Sequence, residues 1–408
     1  MRLLYLCLSP TFGMHQYTAG LANQMVAAGH DVHVIGPAGL PRDRYHPAVH
    51  IHTPLTNRTT GFSREGLDLP ALRRVLACLH TLSLPHPLPH PPPHPPNKPT
   101  NQPPTHPPNQ PTNKPPNQQT NKPTNQQTTL HLTAPHLWNP IFIRRCHKRG
   151  LSAIHTIHDL DPHPGVPFGR LIPLWNRLIL RQADHILVHG RCYRRRLVAQ
   201  GLSPRRVTAL PLLHLCFSHA AQAGLDSLPP PSPAAPPSLL FFGRLLPYKG
   251  IPDLLQAWQQ AALGNARLIL AGPGDLAALW PHDLPPGVEL RNHLIPDAEA
   301  IALFQTCSLL VLPYVQATQS ALIPAAYYFG KPVLAADTGA LSEYILPNRT
   351  GWLFPPGDVP ALAAALATLL TDPALLRGMG FATRAWYEAQ AAHEQTALPA
   401  LYTQPPAP

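Results

Sequence analysis

The chain has 408 residues, enough for two domains with separate cores. Its net charge of +11 is uneven: residues 1–220 carry 23 Lys/Arg against 7 Asp/Glu, or +16, and residues 221–408 carry 8 against 13, or −5. Six cysteines lie far apart without a CxxC pair, and no apolar run approaches the roughly 18 residues of a membrane span, which argues against a disulfide framework, a cysteine-zinc site and a spanning helix.

The apolar run Leu3–Leu8 is too short for the core of a signal peptide, so the cysteines read as reduced thiols of a cytosolic chain. Aromatics do not interleave with the basic runs. The basic half therefore suits an anionic membrane surface or a lipid phosphate better than nucleic acid.

Arg2–Leu8 reads as a strand that ends at Ser9-Pro10. A loop with Gly13 follows, then a helix over His15–Ala28 that Gly29 terminates, then a strand over Asp31–Ile35. This βαβ opening lacks GxGxxG and is no dinucleotide fingerprint. His50–Thr53 is a third strand, and Leu67–Leu84 an amphipathic helix interrupted early by Pro70. Residues 85–129 contain only Pro, His, Leu, Asn, Lys, Thr and Gln, with NKPTNQ at 97 and 121 and NKPPNQ at 113. Such a segment cannot bury apolar surface and is expected to be disordered, either as a tether or as a repeat expansion tolerated on the surface. Its irregularly spaced histidines are assigned no metal site.

Order is expected to resume at Leu130, with strand ends near 130–140 and 153–165; His158 and Asp159 fall at the second. Phe168–Arg181 and Arg191–Gln200, the latter with Arg194-Arg195-Arg196, read as basic amphipathic helices. Each suits either a solvated face or a membrane or phosphate patch. Asp184–His189 and Arg206–Leu210 are strands, and the Ala/Pro/Ser-rich 218–238 is a linker.

The second half alternates strand and helix: strands over Leu239–Phe242, Ala266–Ala271, Val288–Arg291, Leu309–Leu312 and Pro332–Ala335, with helices over 252–263, 274–280, 297–306 and 319–329. That pattern predicts a parallel sheet wrapped on both faces. Helix-rich sequence follows from 358 to 403. Within LLFFGRLLPYKGIPD (239–253), Gly243 turns the chain at a strand end and Pro252 fits a first helical turn. Arg244 and Lys249 then lie on a strand-to-helix loop, which reads either as a diphosphate site or as a solvated loop with two surface cations.

FxGRLxxYKGI followed by LLxAW resembles the donor-binding signature of family 4 glycosyltransferases, and so, in the family's order, do LILAGPGD (268–275), NHLIPDAE (292–299), LLVLPY (309–314), FGKPVLAADTGALSEYI (329–345) and GWLFPPGD (351–358). The resemblance implies a GT-B fold: α/β, two facing Rossmann-like domains with a parallel sheet in each, here with a disordered insertion. The implied division is 1–217 for the acceptor-side domain, 218–238 for the linker, 239–385 for the nucleotide-sugar domain, and 386–408 for a helix crossing back, anchored by Trp386 and Tyr387. It also implies a donor site of Gly13, Arg244, Lys249, His293, Ile295, Thr318, Gln319, Ser320 and Glu343, with His158, Asp159, Arg244 and Lys249 as catalytic candidates. The helix beginning near Gln319 is expected to aim N–H groups at the donor.

The resemblance implies a metal-independent, retaining transfer from a nucleotide-diphosphate sugar to a lipid-linked or polysaccharide acceptor, with no cofactor, at the cytoplasmic membrane face. The Asp159-Leu160-Asp161 DxD is discounted as a metal motif. Most family members carry two glutamates where this chain has Ala317 and Ala325; the ATQS sequence resembles one branch of the family in which Thr318, Gln319 and Ser320 take over polar contacts. That departure and the long insertion keep in view a catalytically silent nucleotide-sugar-binding or scaffold protein; a sugar-nucleotide epimerase, which shares the implied architecture, is a further alternative.

Overall fold

The structure, a computed structural model, describes residues 1–9, 11–55, 68–84, 128–161, 171–214, 217–223 and 236–403. Its first sheet contains β1 (Arg2–Leu6), β2 (Asp31–Pro37), β3 (His50–Leu55), β4 (Thr128–Leu132), β5 (Ser152–Ile157), β6 (His185–Val188) and β7 (Val207–Ala209). The spatial order is β3-β2-β1-β4-β5-β6-β7 and every pairing is parallel. The connections run through α1 (Phe12–Ala27), α2 (Leu69–Leu82), α3 (Asn139–His147), α4 (Ile172–Gln182) and α5 (Arg191–Ala199). After α6 (His219–Ala223) the second sheet begins: β8 (Ser238–Phe242), β9 (Arg267–Ala271), β10 (Val288–Arg291), β11 (Leu309–Leu312), β12 (Val333–Ala336) and β13 (Gly351–Phe354), in the order β10-β9-β8-β11-β12-β13, again parallel. Its helices are α7 (Ile251–Ala261), α8 (Leu276–Leu279), α9 (Asp297–Thr306), α10 (Leu322–Tyr328), α11 (Val359–Thr371) and α12 (Pro373–Thr403). Parallel strands are covered on both faces, which is why Leu239–Phe241 and Leu309–Leu312 are fully buried and read as unbroken apolar runs.

Several expectations shift. Gly13 lies in the first turn of α1 rather than in a loop before it, because the chain turns already at Ser9, whose Oγ accepts the Thr11 N–H at 3.1 Å. Pro70 opens α2 instead of interrupting it: Asp68 caps the helix, accepting the Ala71 N–H at 3.0 Å, and a proline in the first turn removes no helical bond. β4 starts at Thr128, two residues inside the expected insertion, whose remainder, 85–127, lies outside the described residues. Residues 168–170 of the expected basic helix and 224–235 of the expected linker also lie outside them. α10 begins at Leu322 rather than Gln319, which keeps Pro324 in the first turn, where its missing N–H costs nothing. The strand Gly351–Phe354 was not anticipated. The free cysteines among the described residues are Cys7, Cys78, Cys146, Cys192 and Cys307.

α12 joins the two sheets. Near its start it packs with α10 and α11. Trp386 stays on that side, stacked edge-on to Tyr327 and tilted against Tyr344, and Tyr387 meets Tyr328. The far end carries Leu398, Leu401 and Tyr402 into the core beneath β1 and β2. There the Tyr402 hydroxyl meets the Tyr5 hydroxyl at 2.8 Å and His131 Nδ1 at 2.7 Å. The anchor of the crossing is thus Tyr402 rather than Trp386.

The first sheet is rich in buried imidazoles. Burial pushes His33, His136 and His185 down to about 4 and His155 to about 3. Each is neutral when folded and titrates near 6.5 when unfolded, so its contribution is intact above pH 6.5 and is lost as pH falls toward 4. We predict that between pH 7.5 and 5.5 each of the three most deeply placed, His136, His155 and His185, costs about 1.4 kcal/mol, roughly 4 kcal/mol together. Urea denaturation at the two pH values checks this; equal midpoints would refute neutral buried histidines.

Candidate functional site

β8 sits between β9 and β11, so successive connections leave its two sides in opposite directions. In an open parallel sheet the crevice beyond the carboxyl ends at such a switch point is where ligands bind. The two loops that meet there are Gly243–Gly250 and Pro313–Ala321. They approach so closely that a Cβ on Gly250 would lie 1.8 Å from the Pro313 carbonyl oxygen, and Gly250 takes a φ of 66°, so only glycine fits.

Lys249 is half-buried in this crevice. Its Nζ donates to the Tyr314 hydroxyl at 2.7 Å and lies 4.2 Å from that ring's centroid and 5.6 Å from that of Tyr248. The Tyr314 hydroxyl lies near the buried Ser320. Burial pushes the ammonium down to about 8; Tyr248 opposes this and the charge of Arg244 adds to it. Arg244 is exposed and forms no hydrogen bond or ion pair with another described residue. Neither cation has a carboxylate partner among the described residues. Two adjacent cations without counter-charge, one of them losing hydration, make an electrostatic receptor for an anion.

The other donor-site candidates are spread along the edge. Thr318 is buried, and its carbonyl accepts the Ala340 N–H at 3.0 Å. Gln319 is half-buried and its Oε1 has no hydrogen-bond partner. His293 is exposed and pairs with Glu299 at 2.9 Å, while Ile295 is half-buried against the core. Gly13 faces open space. Ala317 and Ala325 are both buried, at 6% and 3% exposure, so neither offers a polar group to the crevice.

His158 follows β5 and donates from Nε2 to the Thr133 carbonyl at 2.9 Å. Tyr17 and His189 enclose its ring, each at 4.9 Å. Nδ1 is left as a buried acceptor without a partner, and burial holds the ring neutral. Asp159 is half-buried and its carbonyl accepts from Asn176. Asp161, the second carboxylate of the DxD sequence, is gripped by both terminal nitrogens of Arg196 at 2.6 and 2.8 Å.

Glu343 meets the first domain. Its oxygens accept the N–H groups of Arg191 and Cys192, both at 2.5 Å, at the start of α5. The adjacent Tyr344 donates to the His189 carbonyl at 2.6 Å and accepts the Leu212 N–H at 3.0 Å. The approach requires Gly190, where a Cβ would come within 2.6 Å of Ala340 Cβ. At another point Arg44 reaches across to Asp297 at 2.6 Å, and Asp297 also accepts the Ser218 N–H. A cavity of about 950 Å³ opens elsewhere, under β5 to β7, and none of the switch-point residues line it.

Sequence reasoning missed Tyr314, Tyr344 and the Arg44–Asp297 pair. Tyr314 had a signal, a hydroxyl placed one proline beyond a wholly apolar strand. The other two depend on the packing of one domain against the other, which no local pattern encodes.

Comparison with known proteins agrees with this architecture. The family model for glycosyl transferases group 1 matches residues 236–372, and that for a glycosyl transferase 4-like domain matches residues 12–212. A D-inositol 3-phosphate glycosyltransferase of Kineococcus radiotolerans is 27% identical over 243 residues, 52% of this chain and 55% of that protein. The chain thus aligns with about half the length of that curated relative. Among solved structures, sucrose-phosphate synthase from Thermosynechococcus elongatus superposes with a TM-score of 0.69 at 18% identity, covering 98% of each chain. Anabaena HepE in complex with UDP-glucose does so with a TM-score of 0.67 at 15% identity, covering 99% of this chain and 100% of that one. The two family matches, one on each half, assign the chain to the GT-B glycosyltransferases of group 1, family 4 type.

Proposed function

We propose that the chain transfers a sugar from a nucleotide-diphosphate sugar, with retention at the anomeric carbon, to a lipid-linked or polysaccharide acceptor. The observation that carries the reading is the uncompensated Arg244–Lys249 pair at the switch point. As the bond between the anomeric carbon and the diphosphate breaks, its electron pair moves onto the phosphate oxygen. Fixed cations in a partly dry crevice stabilise that charge better than water does. The leaving phosphate oxygen then receives the acceptor's proton as the hydroxyl attacks from the same face. In this reading Arg244 and Lys249 supply the positive charge themselves, and Asp161 of the DxD sequence is already paired with Arg196.

The burial of Ala317 and Ala325 favours a second reading, nucleotide-sugar binding without turnover. Assays for binding and for transfer separate the two.

An acceptor held in a membrane calls for a docking face, and α4 supports one. Leu171 at its N-cap, Leu174 and Leu178 are 55%, 65% and 37% exposed at helical spacing, flanked by the exposed Arg177 and Arg181. The Arg194–Arg196 run suits this less well. Arg194 binds the Val207 and Pro204 carbonyls and Arg196 holds Asp161. No single described helix is long and apolar enough to cross a membrane.

Four outcomes are expected. Thermal-shift screening against UDP-, GDP- and ADP-sugars gives a clear rise with one nucleotide class, about 2.7 kcal/mol at 100 times the dissociation constant; no rise with any would refute the donor site. Lys249→Ala and Arg244→Ala each weaken binding of that nucleotide diphosphate by about 10- to 100-fold. In the unaltered protein the affinity is flat below pH 8 and falls by up to about tenfold per pH unit above it, because a neutral Lys249 must gain a proton to hold the anion. Calorimetric titrations from pH 7 to 9.5 read this, and a flat profile would remove Lys249 from the site. Leu174→Ser with Leu178→Ser lowers sedimentation with phosphatidylglycerol vesicles; unchanged sedimentation would reject α4 as the docking face.

A further inference from the structure

A separate constellation occupies the opposite end of the first sheet. Asp31 is the first residue of β2 and His50 the first of β3. These are amino ends of parallel strands, about 20 Å along β2 from the edge that faces the crevice. Asp31 and His33 share a face because they are two apart in a strand, and the register sets His33 directly beside His50. The His33 ring stacks on His50 at 4.7 Å and on His52 at 5.3 Å.

Asp31 Oδ1 lies 3.0 Å from His33 Nε2 and 3.9 Å from His50 Nε2, and one ligand atom from each of the three falls within 4.8 Å of the others. The close contact with Asp31 lacks hydrogen-bond alignment, so His33 Nε2 remains a buried ring nitrogen without a hydrogen-bond partner. In the tautomer with its proton on Nδ1, His33 Nε2 presents an electron pair beside Asp31 Oδ1, at a spacing near the roughly 3.3 Å edge of a tetrahedral zinc shell, and a cation between them would satisfy both. The remaining atoms are tied from behind. Asp31 Oδ2 accepts from Arg2 Nε at 2.7 Å, and His33 Nδ1 pairs with His52 Nε2 at 3.0 Å. Such outer contacts orient metal ligands and fix their protonation.

We propose that Asp31, His33 and His50 bind one divalent transition-metal ion of the zinc class, with Arg2 and His52 as positioning residues. Two imidazoles and one carboxylate suit Zn²⁺, Co²⁺ or Ni²⁺ better than Mg²⁺ or Ca²⁺, which prefer all-oxygen shells. Arg2 shares the charge of Asp31 and lowers the affinity below that of a set with two carboxylates. The His50 side chain is 61% exposed, which leaves the ion a path in and an open position for water. Bound there, the ion would cross-link β2 to the edge strand β3.

The test uses the full chain, freed of metal with a chelator and dialysed, then titrated with ZnCl₂ by calorimetry and with CoCl₂ by visible absorption. The sequence holds 24 histidines, so the comparison is between variants. The expected result is one tight zinc per chain, a cobalt spectrum with tetrahedral intensity, and a rise in melting temperature on adding zinc. His50→Gln, at an exposed position, should keep the fold and weaken that event by more than about 100-fold. His52→Ala should weaken it by about 10- to 100-fold, the usual effect of losing an outer contact. Equal zinc stoichiometry and affinity in the unaltered and His50→Gln chains would overturn the proposal, as would the absence of a tight event in the unaltered chain.

Discussion

A phenol at the far end of the last helix holds the two halves of this protein to one another. Tyr402 arrives from the second domain and bonds Tyr5 on β1 and His131 on β4, the two strands that flank the switch point of the first sheet. Through His131 the link continues to Thr156 on β5 and on to Tyr17 of α1. A buried hydroxyl must find partners, and a network in which every hydroxyl does so specifies one arrangement. The carboxyl edges of the two sheets can therefore face each other in a fixed relation, with loops from both lining the interval. The cross-domain contacts nearer the crevice, at Asp297, Glu343 and Tyr344, presuppose that relation.

Within it, the chemistry of the crevice follows from what is missing around two cations. A lysine in a salt bridge is quiet; Lys249 instead leans on the rings and hydroxyl of two tyrosines, which partly replace water without cancelling charge. The charge is thereby kept for a ligand. The same economy explains the depressed proton affinity of Lys249, since an ammonium held this way has lost hydration and gained no anion.

Much of this was legible in the residues. The strand–helix alternation of the second half, its parallel sheet and the loop that carries Arg244 and Lys249 follow from apolar runs and glycine turns, because fully buried strands leave a strong local pattern. β10, α9 and β11 have the expected bounds. Errors fell where proline and glycine were read without their helical position. Gly13 reads as a loop residue and Pro70 as an interruption, yet each lies in a first turn, where a helix tolerates them. The role of Glu343 could not be read locally at all. Its sequence neighbours suggest a donor-side carboxylate, and only the approach of α5, more than a hundred residues earlier in the chain, reveals what it holds.

That contact ties the stability of one domain to the attitude of the other. α5 has Gly190 at its N-cap, with no side chain of its own to satisfy its first N–H groups, and borrows a carboxylate from across the interval instead. A rotation that draws Ala340 away from Gly190 would therefore uncap a helix as it widens the crevice. Opening then carries a cost of about 1 to 2 kcal/mol written into secondary structure rather than into any lid. The helix so affected bears Arg191 and Arg195 on its exposed side, so the orientation of a cationic surface becomes coupled to whether the crevice is shut.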